Sequence, residues 1–252
     1  MSNQKTLCSF LFVAWICFTS VNSSLIDKWG RCKISDPNFK DCLTEACKKM
    51  IIDLRPGNKE YNIPPFEPFK IDKMALKSGG KGPVNLELVM EDTYCVEITD
   101  FTDLSVDVSK LKDMEFRLKV RVPHMNITTK YTMNGRVLTV PIKGKGDARM
   151  ASTDCWIDLV MKGKPLEKDG KTYWQVHVFD ITFKPTKLRM EYTGLFNGDK
   201  KLGNAANKIL NENWKVMNQE FQPFISSEFA KTALPIANII TQMEPFEEMF
   251  PK

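Results

Sequence analysis

The chain has 252 residues, of which 42% are hydrophobic, 10% aromatic and 27% charged, and its 36 lysines and arginines outnumber 31 acidic residues by only five. This composition is typical of a folded globular protein and excludes a disordered chain or a collagen-like repeat. The small positive excess also disfavours nucleic-acid binding as the main function, because no basic stripe dominates the sequence.

The first 23 residues have the features of a secretory signal peptide. Lys5 precedes an apolar run from Leu7 to Phe18, and small and polar residues suited to cleavage follow up to Ser23. The run is about half the ~20 residues that a membrane-spanning helix needs, and no later run is longer. We therefore predict a signal peptide over residues 1–23, a secreted chain over residues 24–252 and no membrane-embedded segment.

Five cysteines follow the predicted signal peptide: Cys32, Cys42, Cys47, Cys95 and Cys155. An oxidising destination favours disulfides, and turn-forming residues between Cys32 and Cys42 indicate that these two pair with each other. Cys95 and Cys155 both adjoin strand-like segments, so a bridge between them with Cys47 free in a helix is the second prediction. Sequence alone leaves that connectivity open. The chain has two histidines and no Cys-x-x-Cys motif, which argues against a metal site.

The segments after Cys42 begin with a short helix. Apolar residues recur at spacings of three and four from Leu43 to Leu54, and Arg55-Pro56-Gly57 ends the pattern. This spacing predicts an amphipathic helix that needs a surface to lie on. Three prolines between Ile63 and Phe69 then favour an extended connector.

From about Lys70 to Tyr192 the apolar period changes to two, which predicts strands. The clearest case runs from Met114 to Val122, where every second residue is apolar and the residues between are charged. We predict a long antiparallel meander with one face in water, and two-residue turns at Asn134-Gly135 and Asp169-Gly170. The charged face is interpreted as solvated surface rather than as a nucleic-acid site.

The C-terminal part of the chain returns to a helical pattern. An apolar stripe steps at four, three, four and three residues through Leu210, Trp214, Met217, Phe221 and Phe224. The stripe predicts a long helix that Pro223 and Pro235 are expected to kink. Such a stripe usually packs into a core, but a curved sheet wrapped around one long helix also encloses volume.

Catalytic motifs are missing from the sequence, which has no Gly-x-Ser-x-Gly elbow, His-Glu-x-x-His helix or phosphate-binding loop. His124 and His177 are interpreted as surface residues. The sequon Asn126-Ile127-Thr128 makes Asn126 a candidate glycosylation site. We therefore predict a protein without catalytic residues, cofactor or bound metal, and a hydrolase that uses the two histidines is the third hypothesis.

Four segments form a recognisable set in this order: Ser35–Leu43, Tyr131–Gly146, Asn211–Lys215 and Pro245–Pro251. They resemble the insect takeout and haemolymph juvenile hormone-binding protein family, and together they span nearly the whole chain after residue 23. The resemblance implies one α+β domain over residues 24–252, with a long C-terminal helix wrapped by a strongly curved antiparallel sheet and an internal hydrophobic tunnel. That fold is related to the lipid-binding modules of bactericidal/permeability-increasing protein.

The resemblance also implies a secreted carrier in haemolymph or another extracellular fluid. The expected ligand is a juvenile hormone-like terpenoid or a fatty-acid-like lipid. In that family the N-terminal disulfide lies near one mouth of the tunnel, so Cys32, Cys42 and the helix from Leu43 to Leu54 become a candidate gate. The additional Cys47, Cys95 and Cys155 depart from the family's usual N-terminal pair.

The predicted ligand contacts come from the gate, the sheet and the long helix. They are Met50, Ile51, Val137, Val140, Trp214, Met217, Phe221 and Phe224, with Tyr131 as the hydroxyl for a polar ligand head. Each of these positions has an ordinary core interpretation as well. Trp214 rather than Trp174 is expected to contact the ligand.

The competing hypothesis is a secreted interaction protein. In that case the tunnel holds only side chains or structural lipid, and a receptor or a membrane binds the surface. We expect a monomer, and the sequence identifies no receptor. A carrier predicts an organic ligand that can be removed, whereas an interaction protein predicts partner binding that survives delipidation.

Overall fold

The computed structural model describes residues 24–79 and 82–252, so the predicted signal peptide over residues 1–23 lies outside the described residues. Helices at both ends flank a central run of strands, as the change of period predicted. The elements are α1 (Leu25–Trp29), α2 (Phe39–Asp53), β1 (Phe69–Gly79), β2 (Val84–Val96), β3 (Asp103–Asp107), β4 (Glu115–Val137), β5 (Val140–Lys168), β6 (Lys171–Tyr192), α3 (Lys200–Glu212), α4 (Trp214–Thr241) and α5 (Phe246–Met249).

The described strands form one antiparallel sheet in the order β1-β2-β4-β5-β6, and β3 pairs with the first part of β4. Strand β5 has 29 residues, which would extend over roughly 95 Å if it were straight. A domain of this size has a radius of gyration of only roughly 17 Å, so strands of this length must curl. The sheet is a curved half-barrel, which confirms the predicted fold.

The concave face of the sheet holds the core. Along β4, Phe116, Leu118, Val120 and Val122 are buried while the charged residues between them point outwards. Helix α4 packs against both β6 and β1, the two end strands of the sheet order. The long helix therefore lies along the open side of the half-barrel, and its apolar side chains meet those of the concave face.

Three asparagines join the helices to the free edge of β6. Each carboxamide accepts a hydrogen bond from the backbone N–H of one β6 residue and donates one to the C=O of the same residue, as a neighbouring strand would. The pairs, at donor–acceptor distances of 2.7–2.9 Å, are Asn207 with Tyr192, Asn211 with Met190, and Asn238 with Val176. The backbone N–H and C=O groups of these three β6 residues thus find hydrogen-bond partners in side chains of the helices.

One of the two predicted hairpin turns is confirmed. Asp169 and Gly170 connect β5 to β6 with positive φ at both residues. The turn predicted at Asn134-Gly135 is wrong, because both residues lie inside β4 opposite β5. A Cβ at Gly135 would lie 2.2 Å from the Asn85 carbonyl oxygen, so this glycine permits the close approach of β2. The actual turn lies at Leu138, where φ is 55°.

The predicted helices are present, with different ends. Helix α2 begins at Phe39 rather than at Leu43. The Asp199 side chain accepts hydrogen bonds from two backbone N–H groups at the start of α3, and α4 continues through Pro223 and Pro235. None of the helices in the described part of the chain is long and apolar enough to cross a membrane.

The cysteines agree with one of the two predicted pairings. Cys32 and Cys42 form a disulfide. Cys95 and Cys155 are free buried thiols, so their predicted bridge is wrong for this structure. They lie on β2 and β5, which flank β4, and strands on either side of a third are roughly 9–10 Å apart. That separation exceeds the roughly 4.4–6.8 Å between Cα atoms that a disulfide spans. Cys47 is free and buried in α2, as predicted.

Candidate ligand-binding cavity

An apolar cavity of about 290 Å³ lies between the concave face of the sheet, the C-terminal half of α4 and the N-terminal helices. The residues that line it are hydrophobic with few exceptions, and none of them is charged. The N-terminal segment from Leu25 to Asp53, here called the N-terminal cover, lies over one side. Met249 and Phe250 from α5 and the residue after it complete the lining.

The sheet and the helix each contribute one periodic face to the cavity. Alternate residues of three strands line it: Phe116, Leu118 and Val120; Ile157, Leu159 and Met161; Phe179 and Ile181, with Trp174. The alternation seen in the sequence therefore builds this wall. Helix α4 presents Phe229, Ala233, Ile236, Ala237, Ile240 and Thr241, which recur at spacings of three and four on one face.

Polar contacts fasten the N-terminal cover to the rest of the chain. Trp29 Nε1 donates to Asp53 Oδ2 at 2.9 Å, within the cover. The Arg31 guanidinium donates to both carboxylate oxygens of Glu244, at 2.7 and 3.1 Å. The backbone N–H of Ile34 donates to the carbonyl of Pro251 at 2.8 Å. The N-terminal and C-terminal ends of the described chain thus meet at one end of the cavity.

The carboxylates at this end of the cavity are stabilised in their charged form. Hydrogen bonds from Lys28 and Trp29 outweigh partial burial and lower the pKa of Asp53. Burial alone would raise the pKa of Glu244, but the hydrogen bonds and charge of Arg31 hold it below its ordinary value. The pKa of Arg31 is raised by the same contacts. The Arg31–Glu244 pair therefore stays ionised at neutral pH.

Few hydrogen-bonding side chains line the cavity. The hydroxyl of Thr99 donates to Glu67 Oε2 at 3.0 Å and is thereby occupied. The hydroxyl of Thr241 is buried and has no hydrogen-bond partner among the described residues. The thiol of Cys47 lines the cavity, and burial raises its pKa to about 12, so it is protonated at neutral pH.

The structure brings only two of the predicted ligand contacts to this cavity, namely Met50 and Ile51 of the N-terminal cover. The other predicted residues lie outside the lining: Tyr131, Val137, Val140, Trp214, Met217, Phe221 and Phe224. Met217 and Phe221 are buried in the core, whereas Phe224 is 39% exposed. The cavity lies along the other half of α4, so the predicted position of the pocket on this helix is not the one that the structure contains.

The physical reason for this difference is side-chain size. Met217 and Phe221 in the first half of α4 are buried in the filled core, whereas the small Ala233 and Ala237 in the second half leave space that no side chain occupies. The signal in the sequence was the presence of alanines within the apolar helical stripe. The prediction of ligand contacts relied on the large residues of that stripe instead.

Tyr131, which was predicted to contact a polar ligand head, lies outside the lining of this cavity. Its hydroxyl donates to the backbone carbonyl of Thr193 at 2.6 Å, and its ring meets Tyr192 edge to face with centroids 4.9 Å apart. Burial raises the pKa of Tyr131 to about 12. Because its donor is already used and it lies away from the cavity, Tyr131 is a structural residue that ties the end of β6 to β4.

The remaining candidate residues lie outside the cavity lining. His124 and His177 are exposed. Asn126 lies in β4 between two paired strands, and its amide donates to Glu97 Oε2 at 2.6 Å. Glycosylation of Asn126 stays a prediction. In residues 24–79 and 82–252 no group of three or more His, Cys, Asp or Glu side chains is arranged to hold a metal ion.

Comparison with known proteins places this architecture in a family. The family model described as haemolymph juvenile hormone binding protein (JHBP) matches residues 11–251. The circadian clock-controlled protein daywake of Drosophila melanogaster is 24% identical over 96% of this chain and 97% of its own length. Daywake of Drosophila yakuba is 23% identical, over 87% of this chain and 86% of its own.

A solved structure has the same fold. The crystal structure of Epiphyas postvittana Takeout 1 aligns with a TM-score of 0.75 and 20% sequence identity, covering 88% of this chain and 99% of that one. The family model covers almost the whole sequence, and the curled sheet, the long C-terminal helix and the N-terminal disulfide agree with the four motifs described above. The chain belongs to the haemolymph juvenile hormone binding protein family.

Proposed function

We propose that this protein is a secreted carrier that holds one small hydrophobic molecule in the cavity under the N-terminal cover. The observation that carries this proposal is the cavity itself, about 290 Å³ in volume and lined by no charged residue. Small-molecule sites are typically concave, mostly apolar and of this order of size. The family is named for the binding of juvenile hormone, which supports a terpenoid-like or lipid-like ligand here.

Apolar burial supplies enough free energy for such binding. Each buried CH₂ contributes about 0.8 kcal/mol, so roughly fifteen carbons contribute about 12 kcal/mol before costs. Loss of free motion and ordering costs about 4–15 kcal/mol. At the lower end of these costs about 8 kcal/mol remains, which corresponds to a Kd of about 1 μM without any charged contact.

The proposal includes secretion and a monomeric carrier. The pattern of residues 1–23 supports export, and the Cys32–Cys42 disulfide fits an oxidising compartment. Binding rather than catalysis is proposed because the cavity is lined by apolar groups and a thiol whose raised pKa keeps it protonated.

The experiment that tests the carrier function is organic extraction of the purified secreted protein followed by mass spectrometry. Competition with juvenile hormone and with long-chain fatty acids accompanies it. A stoichiometric lipid or terpenoid supports the carrier. A protein that is empty and binds none of these compounds contradicts it and favours the interaction protein, whose partner binds after delipidation.

Filling the cavity is expected to weaken ligand binding without unfolding the chain. Ala233 lines the cavity and Ala230, one turn earlier on α4, does not, although both are half-buried. Ala233→Phe places a ring in the cavity and should lower the affinity for a fluorescent fatty-acid ester at least tenfold. Ala230→Phe is the matched control and should change it less than twofold, with folding of both checked by circular dichroism. Equal losses would contradict this site.

The N-terminal cover is proposed to act as a gate that the Arg31–Glu244 pair holds closed. Glu244→Gln removes the charge that Arg31 contacts, and a partly buried charged hydrogen bond of this kind contributes about 1 kcal/mol after solvent screening. Ligand dissociation at neutral pH should therefore become about fivefold faster, as measured by stopped-flow transfer of a fluorescent ester to vesicles. Glu228→Gln, which removes a surface partner of Lys231, is the control and should have no effect.

The same pair predicts an acid response of the gate. The pKa of Glu244 is lowered in the folded protein, so the stabilisation is present above its ordinary value of 4.5 and is lost as the pH falls through the folded value. Dissociation should accelerate below about pH 4.5 in the natural protein and change less in Glu244→Gln. An acid acceleration of equal size in both proteins would assign the response to other carboxyl groups.

A further inference from the structure

The unpartnered hydroxyl of Thr241 is the feature of the cavity that its apolar walls do not explain. Thr241 lies on the cavity-facing side of α4, and only 5% of its surface is exposed. Its Oγ1 has no hydrogen-bond partner among the described residues. A buried hydroxyl without a partner is destabilising, and in native proteins such groups are rare away from functional sites.

The other polar side chains of the cavity are less suited to contact a ligand. The Thr99 hydroxyl is bonded to Glu67. The indole nitrogen of Trp174 also has no partner, but it packs against Gly163, where a Cβ would lie only 1.9 Å from it. This nitrogen therefore faces the backbone of β5. Besides the thiol of Cys47, which is only a weak hydrogen-bond donor, Thr241 remains as the polar group that a ligand in the cavity is able to reach.

The charges around this end of the cavity do not favour an anion. Arg31 is bonded to the carboxylates of Asp27 and Glu244. Lys28 is paired with Asp53, and Lys171 with Glu248. These three cations are thus already neutralised by carboxylates of the chain.

Lys49 is a cation near the cavity that makes no ion pair with the described residues. Its Nζ lies 4.0 Å from the position that a Cβ on Gly30 would occupy. Lys49 is exposed, so water screens any ion pair that it makes.

We infer, on the basis of the proposed carrier function, that Thr241 is the docking point for a single uncharged oxygen of the ligand, and that it selects an ester, ketone or alcohol over a carboxylate. The Thr241 hydroxyl donates a hydrogen bond to an ester, ketone or alcohol oxygen, and it also accepts one when the ligand is an alcohol. A carboxylate in the same position would lose its hydration without gaining a cation, and it would bind in its protonated form. The ligand therefore lies with its polar end at Thr241 and its chain along the apolar walls.

The test compares dodecanoic acid, methyl dodecanoate and dodecane, each by competition against a fluorescent hydrophobic probe. At pH 7.5 the ester should bind at least tenfold more tightly than the acid. The affinity for the acid should rise about tenfold for each unit that the pH falls from 7.5 to 5.5, because a carboxyl group titrates near pH 4–5 and only its neutral form binds. The affinity for the ester should stay constant and thereby controls for any effect of pH on the protein.

Three variants locate the polar contact. Thr241→Val keeps the shape and removes the hydroxyl, so it should lower the affinity for methyl dodecanoate about fivefold and leave that for dodecane unchanged. Ser226→Ala removes another unpartnered hydroxyl of α4 that does not line the cavity, and it should change neither. Lys49→Met should leave the ratio of acid to ester affinity unchanged.

The outcomes separate this inference from the carrier function. If none of the three compounds binds, and extraction yields no ligand, the carrier function itself fails. If the acid binds as tightly as the ester at pH 7.5, or if Lys49→Met selectively lowers the affinity for the acid, the ligand binds as an anion near Lys49. Either result overturns the role of Thr241. Equal losses for ester and dodecane in Thr241→Val would assign Thr241 a packing role only.

Discussion

Replacing Trp174 with leucine is expected to weaken the binding of methyl dodecanoate about tenfold, whereas Trp214→Leu should change it less than twofold. Trp174 is 2% exposed and lines the cavity. Losing roughly 50 Å² of apolar contact corresponds to about 1.3 kcal/mol, which is about a factor of ten in Kd. Trp214 begins α4 outside the cavity lining, so we expect no contact between it and the ligand.

The comparison requires that both variants remain folded. Trp174 meets the rings of Phe116 and Phe246 edge to face, and shortening it should lower the free energy of unfolding by about 2–3 kcal/mol. Urea titration measures that loss, and affinities are compared in buffer where both variants are native. A larger loss of affinity in Trp214→Leu would return the ligand to the first half of α4, where the sequence alone had placed it.

The sheet was predictable from sequence because its determinants are local. Alternation over residues such as Phe116 to Val122 fixes which side chains face the core, independently of distant residues. The turn at Asp169-Gly170 was found for the same reason. Asn134-Gly135 has equally good turn chemistry but lies within β4. Gly135 is needed there because β2 approaches too closely for a side chain. A contact between distant segments outweighed the local preference there.

The attachment of the helices to β6 was not predictable, because it depends on tertiary geometry. Asn207, Asn211 and Asn238 appear in the sequence as ordinary polar residues on helices. Only the packing of α3 and α4 along β6 brings each carboxamide opposite a free N–H and C=O. Their spacing carries no signal, since helix and strand advance by different distances per residue.

The position of the cavity was also not predictable from the sequence, because it depends on the volumes of side chains that meet only in the folded protein. Apolar periodicity identifies residues that become buried, but it does not show whether they pack in a filled core or line a cavity. Phe221 and Ile236 belong to the same stripe, yet only Ile236 lines the cavity. The difference depends on how much volume the facing side chains occupy, which the small residues Ala233 and Ala237 reduce. Met50 and Ile51 do line the cavity, and they were named because the family resemblance pointed to the N-terminal helix; their contact with a ligand stays a prediction.

Replacing Gly163 with alanine is expected to destabilise the protein by about 2–3 kcal/mol and to impair ligand binding. A Cβ at this position would lie 1.9 Å from Trp174 Nε1 and 2.1 Å from its Cδ1. Such overpacking in a core commonly costs about 1–3 kcal/mol. The buried indole has to move, and we expect it to move towards the cavity that it lines and thereby to reduce the cavity volume. Gly203→Ala is the control, because its nearest neighbour is 3.7 Å away and alanine should stabilise α3 by about 0.5–1 kcal/mol.

A double-mutant cycle identifies the cause of this loss. In a Trp174→Leu background the indole is absent, so Gly163→Ala should cost less than about 1 kcal/mol, which gives a coupling energy of about 2 kcal/mol between the two positions. Urea unfolding of the four proteins measures it. If the two losses instead add, the clash is with the backbone carbonyl of Gln175, which lies 2.9 Å from the same Cβ position. Trp174 would then not be the side chain through which residue 163 controls the size of the cavity.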